Sequence, residues 1–288
     1  MRPLGGRRRK AYRLRSHKFL IIMIKDNAVR QRGHEKTEVF MIVPPNVLRL
    51  LGLILSLLCP QIGWAQDSHK EIEHTAQLLT TLLNAGRVVV ERNQSLINDP
   101  GKGDKGFTPE VFEQLVRDEF FRQTRIDLKH PPSSLPSFAK ELLAALLFAS
   151  KEVVRDAQFV INQRGIGYKN FIPATFGSQA ARKFSDRSHV TIKQTTLNPR
   201  NLKNTPDAYE EMVLKRLATQ PPSTTPIVEW VDGGRLLRTL RPIYYSEDCL
   251  TCHGNPKGIL DISGYPREGA QAGELAGAIS IQIPSDHR

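Results

Sequence analysis

Ile227-Val228-Glu229-Trp230-Val231, then Asp232-Gly233-Gly234, then Leu236 through Tyr245, reads as two strands joined by a tight turn. β-Branched and aromatic residues flank an Asp-Gly-Gly whose backbone tolerates the positive φ that a hairpin turn requires. The second strand delivers the chain to Cys249-Leu250-Thr251-Cys252-His253, and one further strand-like stretch, Leu275 to Ile283, follows. The hairpin therefore predicts an antiparallel sheet completed after the Cys-x-x-Cys-His segment.

That segment has the spacing of a c-type haem attachment site. Two thiols must reach the two vinyl groups of one porphyrin, and the next residue must bring an imidazole to the iron. Positions i, i+3 and i+4 share one face of a helical turn, which places Cys249, Cys252 and His253 together. Ser246 or Asp248 is suited to cap such a turn, and Gly254 before Asn255-Pro256 to end it. A redox Cys-x-x-Cys, half a zinc site and a structural disulfide are the competing readings. Zinc needs about four ligands, and no second Cys pair or HxxxH occurs. The thioredoxin-type pair belongs at a helix start in a βαβ unit, which this sequence does not resemble.

Upstream, helices dominate. Ile72, Leu79, Leu83 and Val90 recur at helical spacing within Glu71 to Ile97, and Asp99-Pro100-Gly101 stops that run. Thr108-Pro109-Glu110 is a helix start, with Phe120 and Phe121 read as core. Ser137 is the expected cap of a helix from Phe138 to about Ala157, in which Leu142 through Ala149 is apolar all round and expected to be buried. Phe159 to Asn162 and Tyr168 to Ile172 flank Arg164-Gly165-Ile166-Gly167 as a strand, turn and strand. A short helix over Gly177 to Phe184, a strand over Val190 to Thr195, and a helix opened by Thr205-Pro206-Asp207 complete the series. Helices first and strands later predict an α+β domain. The Gly101–Gly106 loop is glycine-rich but lacks GxxxxGK[ST] and a preceding strand, so it is a connector.

The net charge of +12 would suggest a nucleic-acid partner, but it is unevenly placed. Residues 1–65 carry 13 Lys and Arg against 3 Asp and Glu, leaving 28 against 26 in the remainder. The body is near neutral, and no nucleic-acid partner is expected. Residues 1–40 read as a basic extension that is untranslated or disordered. Met41 offers a start, followed by an apolar run and the small residues of Gly63-Trp64-Ala65, so residues 41–65 read as a signal peptide cleaved after Ala65. Cys59 as a lipoprotein cysteine is the lesser alternative, since bulky Leu58 precedes it. Residues 66–288 then form a single domain, periplasmic and bacterial, with no stable transmembrane span and its only thiols in the haem motif.

Several motifs occur in order along this domain: Phe171-Ile172-Pro173-Ala174-Thr175-Phe176-Gly177, Val190-Thr191-Ile192-Lys193-Gln194-Thr195, Asn198-Pro199-Arg200-Asn201, Pro206-Asp207-Ala208-Tyr209-Glu210, the CxxCH, and Gly277-Ala278-Ile279-Ser280. Together they resemble the Tll0287-like family, formerly DUF3365, over about Glu71 to Pro284. The resemblance implies a PAS-like domain carrying one covalent haem c, with Cys249 and Cys252 as thioether positions and His253 as an axial ligand. Family members occur alone or as extracytoplasmic sensors of chemoreceptors, kinases and cyclases. The expected fold is therefore N-terminal helices packed on a PAS-like antiparallel sheet with a haem loop.

The sequence leaves the sixth iron ligand open. His69, His74, His130, His189, His287 and Met212 are the candidates, with His74 and His189 preferred. Arg182, Lys193, Arg200 and Arg241 are candidates to pair haem propionates. The expected function is a haem-based redox or gas sensor that signals through a partner protein. A periplasmic electron-transfer cytochrome is the alternative. No enzymatic activity is expected, because the second haem or distal His/Arg pair of a peroxidase cannot be assigned.

Overall fold

The computed structural model describes residues 45–286. The chain divides into two compact units, Met1–Gln66 and Asp67–Arg288. The basic extension, Met41 and His287 lie outside the described residues. Helix α1 spans Pro45–Arg92, and its part from Asp67 onward belongs to the second unit. That unit also holds α2 (Gln94–Ile97), α3 (Pro109–Thr124), α4 (Ser137–Asp156), α5 (Gln158–Ile161), α6 (Pro173–Ser185), α7 (Ala208–Ala218) and α8 (Leu250–His253). Its strands are β1 (Thr191–Thr195), β2 (Ile227–Val231), β3 (Leu236–Tyr244) and β4 (Leu275–Pro284). Among the described residues, no helix is long and apolar enough to cross a membrane.

The strands form one antiparallel sheet in the order β1-β4-β3-β2. The hairpin is as the sequence indicates: Val231 faces Leu236, and Asp232, Gly233 and Gly234 all take positive φ. Alternation along the two inner strands then sorts the faces. Leu237, Ile279, Ile281 and Ile283 enter the main core with α1, α3, α4 and α6, whereas Leu240 and Ala278 pack beneath α7 against Val213, Leu214 and Leu217. Helices therefore cover both faces of the sheet.

Ile72, Leu79, Leu83 and Val90 are all buried, as their spacing requires. Gly86 lies among them because a Cβ there would sit 2.7 Å from the Phe176 ring. Its absence lets Phe176 press against α1 and meet Phe112 edge-on at 5.2 Å. Burying rings of this size contributes about 2–3 kcal/mol each. Thr108 caps α3 by accepting from the Val111 amide at 3.2 Å, with Pro109 at the first position. Asp207, rather than Thr205, caps α7, in a reciprocal box with Glu210.

Four local expectations are corrected. The strand–turn–strand over 159–172 is absent. Phe159 is 80% exposed while Ile161 is fully buried, which no strand alternation allows, and Gln158–Ile161 closes a helical turn instead. The backbone that would have paired as strands bonds to the preceding connector: Gly165 N–H to the Pro100 carbonyl, and Lys169 N–H to the Asn98 side chain. Leu142 to Ala149 is not buried all round. Phe148 is 52% exposed, because α4 packs on α3 and α6 and leaves one face to solvent. Phe120 is core but Phe121 is largely exposed, since neighbours on a helix point about 100° apart. Ser137 begins α4 without forming a side-chain cap.

Gly277 sets the approach of β4 to β1 beside the β3 irregularity at Ile243/Tyr244. A Cβ at Gly277 would lie 2.4 Å from the Thr195 carbonyl oxygen, a backbone atom that cannot swing aside. Gly277→Ala is expected to cost about 2 kcal/mol, which thermal circular dichroism would read as a melting temperature lower by roughly 4–8 °C. An unchanged melt would show that β1 and β4 tolerate wider spacing.

Candidate functional site

β3 ends in a side chain and backbone lock. Tyr245 exchanges backbone hydrogen bonds with the 273–274 segment (2.9 Å each), so the chain leaves the sheet at a fixed point. Ser246 then caps a 3-10 turn over Glu247–Cys249, which continues into α8. The Ser246 hydroxyl lies 3.2 Å from the Cys249 Sγ and donates to Glu91 of α1 at 2.7 Å. Cys249, Cys252 and His253 thus share one helical turn, all partly exposed, with both cysteines as free thiols. Burial pushes the Cys252 thiol up, and Asp261 adds to the effect.

The far side of this turn is held by charge. His253 Nδ1 lies 2.8 Å from Glu268 Oε2, and Tyr245 packs on the imidazole with centroids 5.1 Å apart. Glu268 is gripped by Arg200, Nε to Oε1 at 2.6 Å and Nη2 to Oε2 at 2.8 Å. The same guanidinium donates to Asp261 at 2.6 Å and to the Cys252 carbonyl at 2.9 Å. Arg200 is therefore a clasp between the β1–α7 connection, the CxxCH turn and the loop after it. Burial alone would lower its pKa, but bonds to Glu268 and Asp261 outweigh that and raise it. Burial would raise both carboxylates; for Asp261, Ser263 and Arg200 reverse the sign, and for Glu268, Arg200 and His253 do so.

A family model, Tll0287-like, matches residues 65–284. The chain belongs to the Tll0287-like family. Among solved structures it is similar to one described as the crystal structure of the cyanobacterial haem-protein Tll0287, at 17% identity, covering 52% of this chain and 96% of that one. The TM-score is 0.37. No curated protein matches.

The residues of this Tll0287-like chain fit a covalently held haem. Two free thiols lie three positions apart, and Glu268 occupies Nδ1 of His253, which fixes the tautomer and leaves Nε2 for a metal. Arg87 Nε, on α1 near Cys249, is shut off from solvent without a hydrogen-bond acceptor.

The sixth-ligand candidates do not gather here. His69 stacks on Trp230 at 3.8 Å, at the closed end of the hairpin, about 24 Å of strand from the haem turn. His74 is exposed and seventeen residues before Glu91, about 26 Å along the α1 axis. His189 precedes the far end of β1, about 20 Å from the Thr195 end. His130 is exposed and bonded to Asp127, and Met212 is 55% exposed. Of the propionate candidates, Lys193 pairs with Glu210, Arg200 is committed to the clasp, and Arg182 is exposed. Among the described residues Arg241 bonds the Thr81 hydroxyl, at 3.2 Å. Glu268 and Asp261 are invisible to a reading of the sequence because no local spacing connects them to Arg200. Their acidity close behind the CxxCH is the one available signal.

Asp261 and Glu268 both titrate below the ordinary carboxylate range, so the clasp contributes its full stability above about pH 4 and loses it as pH falls further. Pepsin cleavage within 254–274 is expected to rise on acidification from pH 5 to pH 2. Arg200→Leu should expose the loop already at pH 5 and cost on the order of 3 kcal/mol in urea denaturation, because it leaves the inaccessible Asp261 carboxylate without its cation.

Proposed function

We propose that this chain is an exported monohaem c-type protein that acts as a haem-based redox or gas sensor on a PAS-like domain. Cys249 and Cys252 form the thioether links and His253 is the axial ligand. Residues 41–65, as a signal peptide, direct it to the periplasm, and it has no enzymatic activity of its own. A haem bound there supplies a one-electron Fe(III)/Fe(II) couple and an axial position for a diatomic gas.

The observation that carries the reading is the Arg200–Glu268–His253 chain of hydrogen bonds. Glu268 orients the imidazole, and its carboxylate makes the ring a stronger donor by drawing on the Nδ1 proton. Arg200 tempers that charge and links it to Asp261, which accepts from the Ser263 and Tyr265 amides and so shapes the following loop. A displacement of His253 would be felt at Glu268 first, then by the 254–274 loop and the β1–α7 connection. Such a displacement signals only if it favours one of two loop conformations. The distance of His69, His74 and His189 from the turn favours an exchangeable sixth position.

One observation favours electron transfer instead. Ile259, Leu260, Ile262 and Tyr265 are 46–67% exposed on the loop after the CxxCH, an apolar collar of the kind that suits a redox partner.

The purified periplasmic protein is expected to keep its haem on denaturation and to give a c-type pyridine haemochrome, which Cys249→Ala with Cys252→Ala should abolish. Haem extractable into acidified organic solvent would refute covalent attachment. Glu268→Gln removes a negative charge behind the imidazole, favours reduced iron, and should raise the reduction potential by on the order of 50 mV, a little under tenfold in a one-electron equilibrium. Hydrogen exchange of oxidised, reduced and NO-bound protein separates the two functions. Different protection in 199–207 and 254–274 supports the sensor. Identical protection, with no binding of CO or NO to reduced iron, supports the carrier.

A further inference from the structure

Arg87 lies on the face of α1 that looks at the CxxCH turn. One turn further on, Glu91 accepts from the Ser246 hydroxyl at the start of that turn, and three residues back Asn84 accepts from Arg87 Nη1 at 3.2 Å. α6 makes room for the arginine stem at Gly177, where a Cβ would stand 3.0 Å from Arg87 Cδ and 2.7 Å from Gln194 Oε1. Among the described residues the guanidinium has the neutral Asn84 as its hydrogen-bond partner. Its Nε is inaccessible to solvent with no acceptor, and among the described residues it forms no ion pair. Burial lowers its pKa, and the nearby carboxylate that opposes this, Glu91, already serves Ser246.

A donor withdrawn from water without an acceptor costs about 1–3 kcal/mol. A protein that packs the arginine stem against a glycine at position 177, and so places such a donor beside the CxxCH turn, leaves it to an acceptor that its own described side chains do not supply. Arg200, across the turn, already has its charge matched by Asp261 and Glu268 and gives a further bond to the Cys252 carbonyl.

We propose that Arg87 is an anion-binding residue on the α1 side of the haem site, taking a carboxylate or small anion. Two sources share that chemistry: a propionate of the haem itself, and a free anion that reaches the iron from solvent. The proposal rests on the haem reading above. It adds that the α1 side of the site selects negative charge, which would bias an exchangeable position toward anions over neutral ligands.

The test uses ferric holoprotein, wild type against Arg87→Met and Arg87→Lys, with haem content measured by pyridine haemochrome. Azide and neutral imidazole are titrated in the visible spectrum, and the propionate-bending band is followed by resonance Raman. For a free anion, Arg87→Met is expected to weaken azide at least tenfold while imidazole changes less than twofold and the Raman band stays in place. For a propionate, the Raman band shifts and azide changes less than twofold. Arg87→Lys keeps the charge but not the planar fork, so it should show the same signature at reduced size, about threefold for azide, and it decides the matter if Arg87→Met does not fold. Normal haem content with neither signature in a folded variant overturns the role of Arg87 and leaves the haem reading standing. A wild-type protein without covalent haem overturns both.

Discussion

The guanidinium of Arg200 reaches three partners that the chain brings from 52, 61 and 68 residues away: the Cys252 carbonyl, Asp261 and Glu268. The segment it holds, residues 254–274, contains no helix or strand of its own and an isolated bridge between Leu260 and Pro266. A connection that long and that irregular inside a compact unit is uncommon unless it serves a function. Here its order depends on a few charged bonds in place of a hydrogen-bonded ladder. The energetic consequence is lopsided. Each bond is modest while intact, but Asp261 is inaccessible to solvent, so losing its cation leaves a charge with only hydroxyl and amide donors.

The CxxCH turn is therefore gripped from two directions by different physics. On the α1 side the contact is a single hydroxyl bridge from Ser246 to Glu91, with the Arg87 stem packed behind it. On the other side a buried network fixes His253 through Nδ1. The first contact sets where the thiols stand, because Ser246 caps the turn and touches the Cys249 sulfur. The second sets how the imidazole is turned and how much electron density it offers. Between them the sheet is a rigid frame, with β3 bonded on both sides and delivering the turn at a fixed register.

What was legible in the sequence follows the range of the interactions. The hairpin, the Thr108-Pro109 helix start, the buried stripe of α1 and the helical turn beneath Cys249, Cys252 and His253 all depend on spacings under eight residues. The antiparallel sheet and its last strand followed from that hairpin. The stretch 159–172 misled because its β-branched and aromatic content suits strands, whereas its backbone finds partners at Pro100 and Asn98, more than sixty residues earlier. Propensity gave way to a tertiary bond. Phe148 and Phe121 misled for a related reason: an apolar residue need not be inward, and only the packing of α3, α4 and α6 decides which face closes. Arg200 is one of four cations the sequence offers to haem propionates, and in the structure it holds the protein's own Asp261 and Glu268.

That substitution has a consequence for how a haem site of this kind would behave. A guanidinium spent on Asp261 and Glu268 cannot also neutralise a propionate, so the charge of the cofactor must be met elsewhere or left to solvent. Among the described residues Arg241 bonds the Thr81 hydroxyl, and Arg87 the Asn84 side-chain oxygen. Both touch α1, and burial depresses the pKa of each. The clasp side of the turn thus pairs two carboxylates with Arg200, and the α1 side sets Arg87 near Glu91.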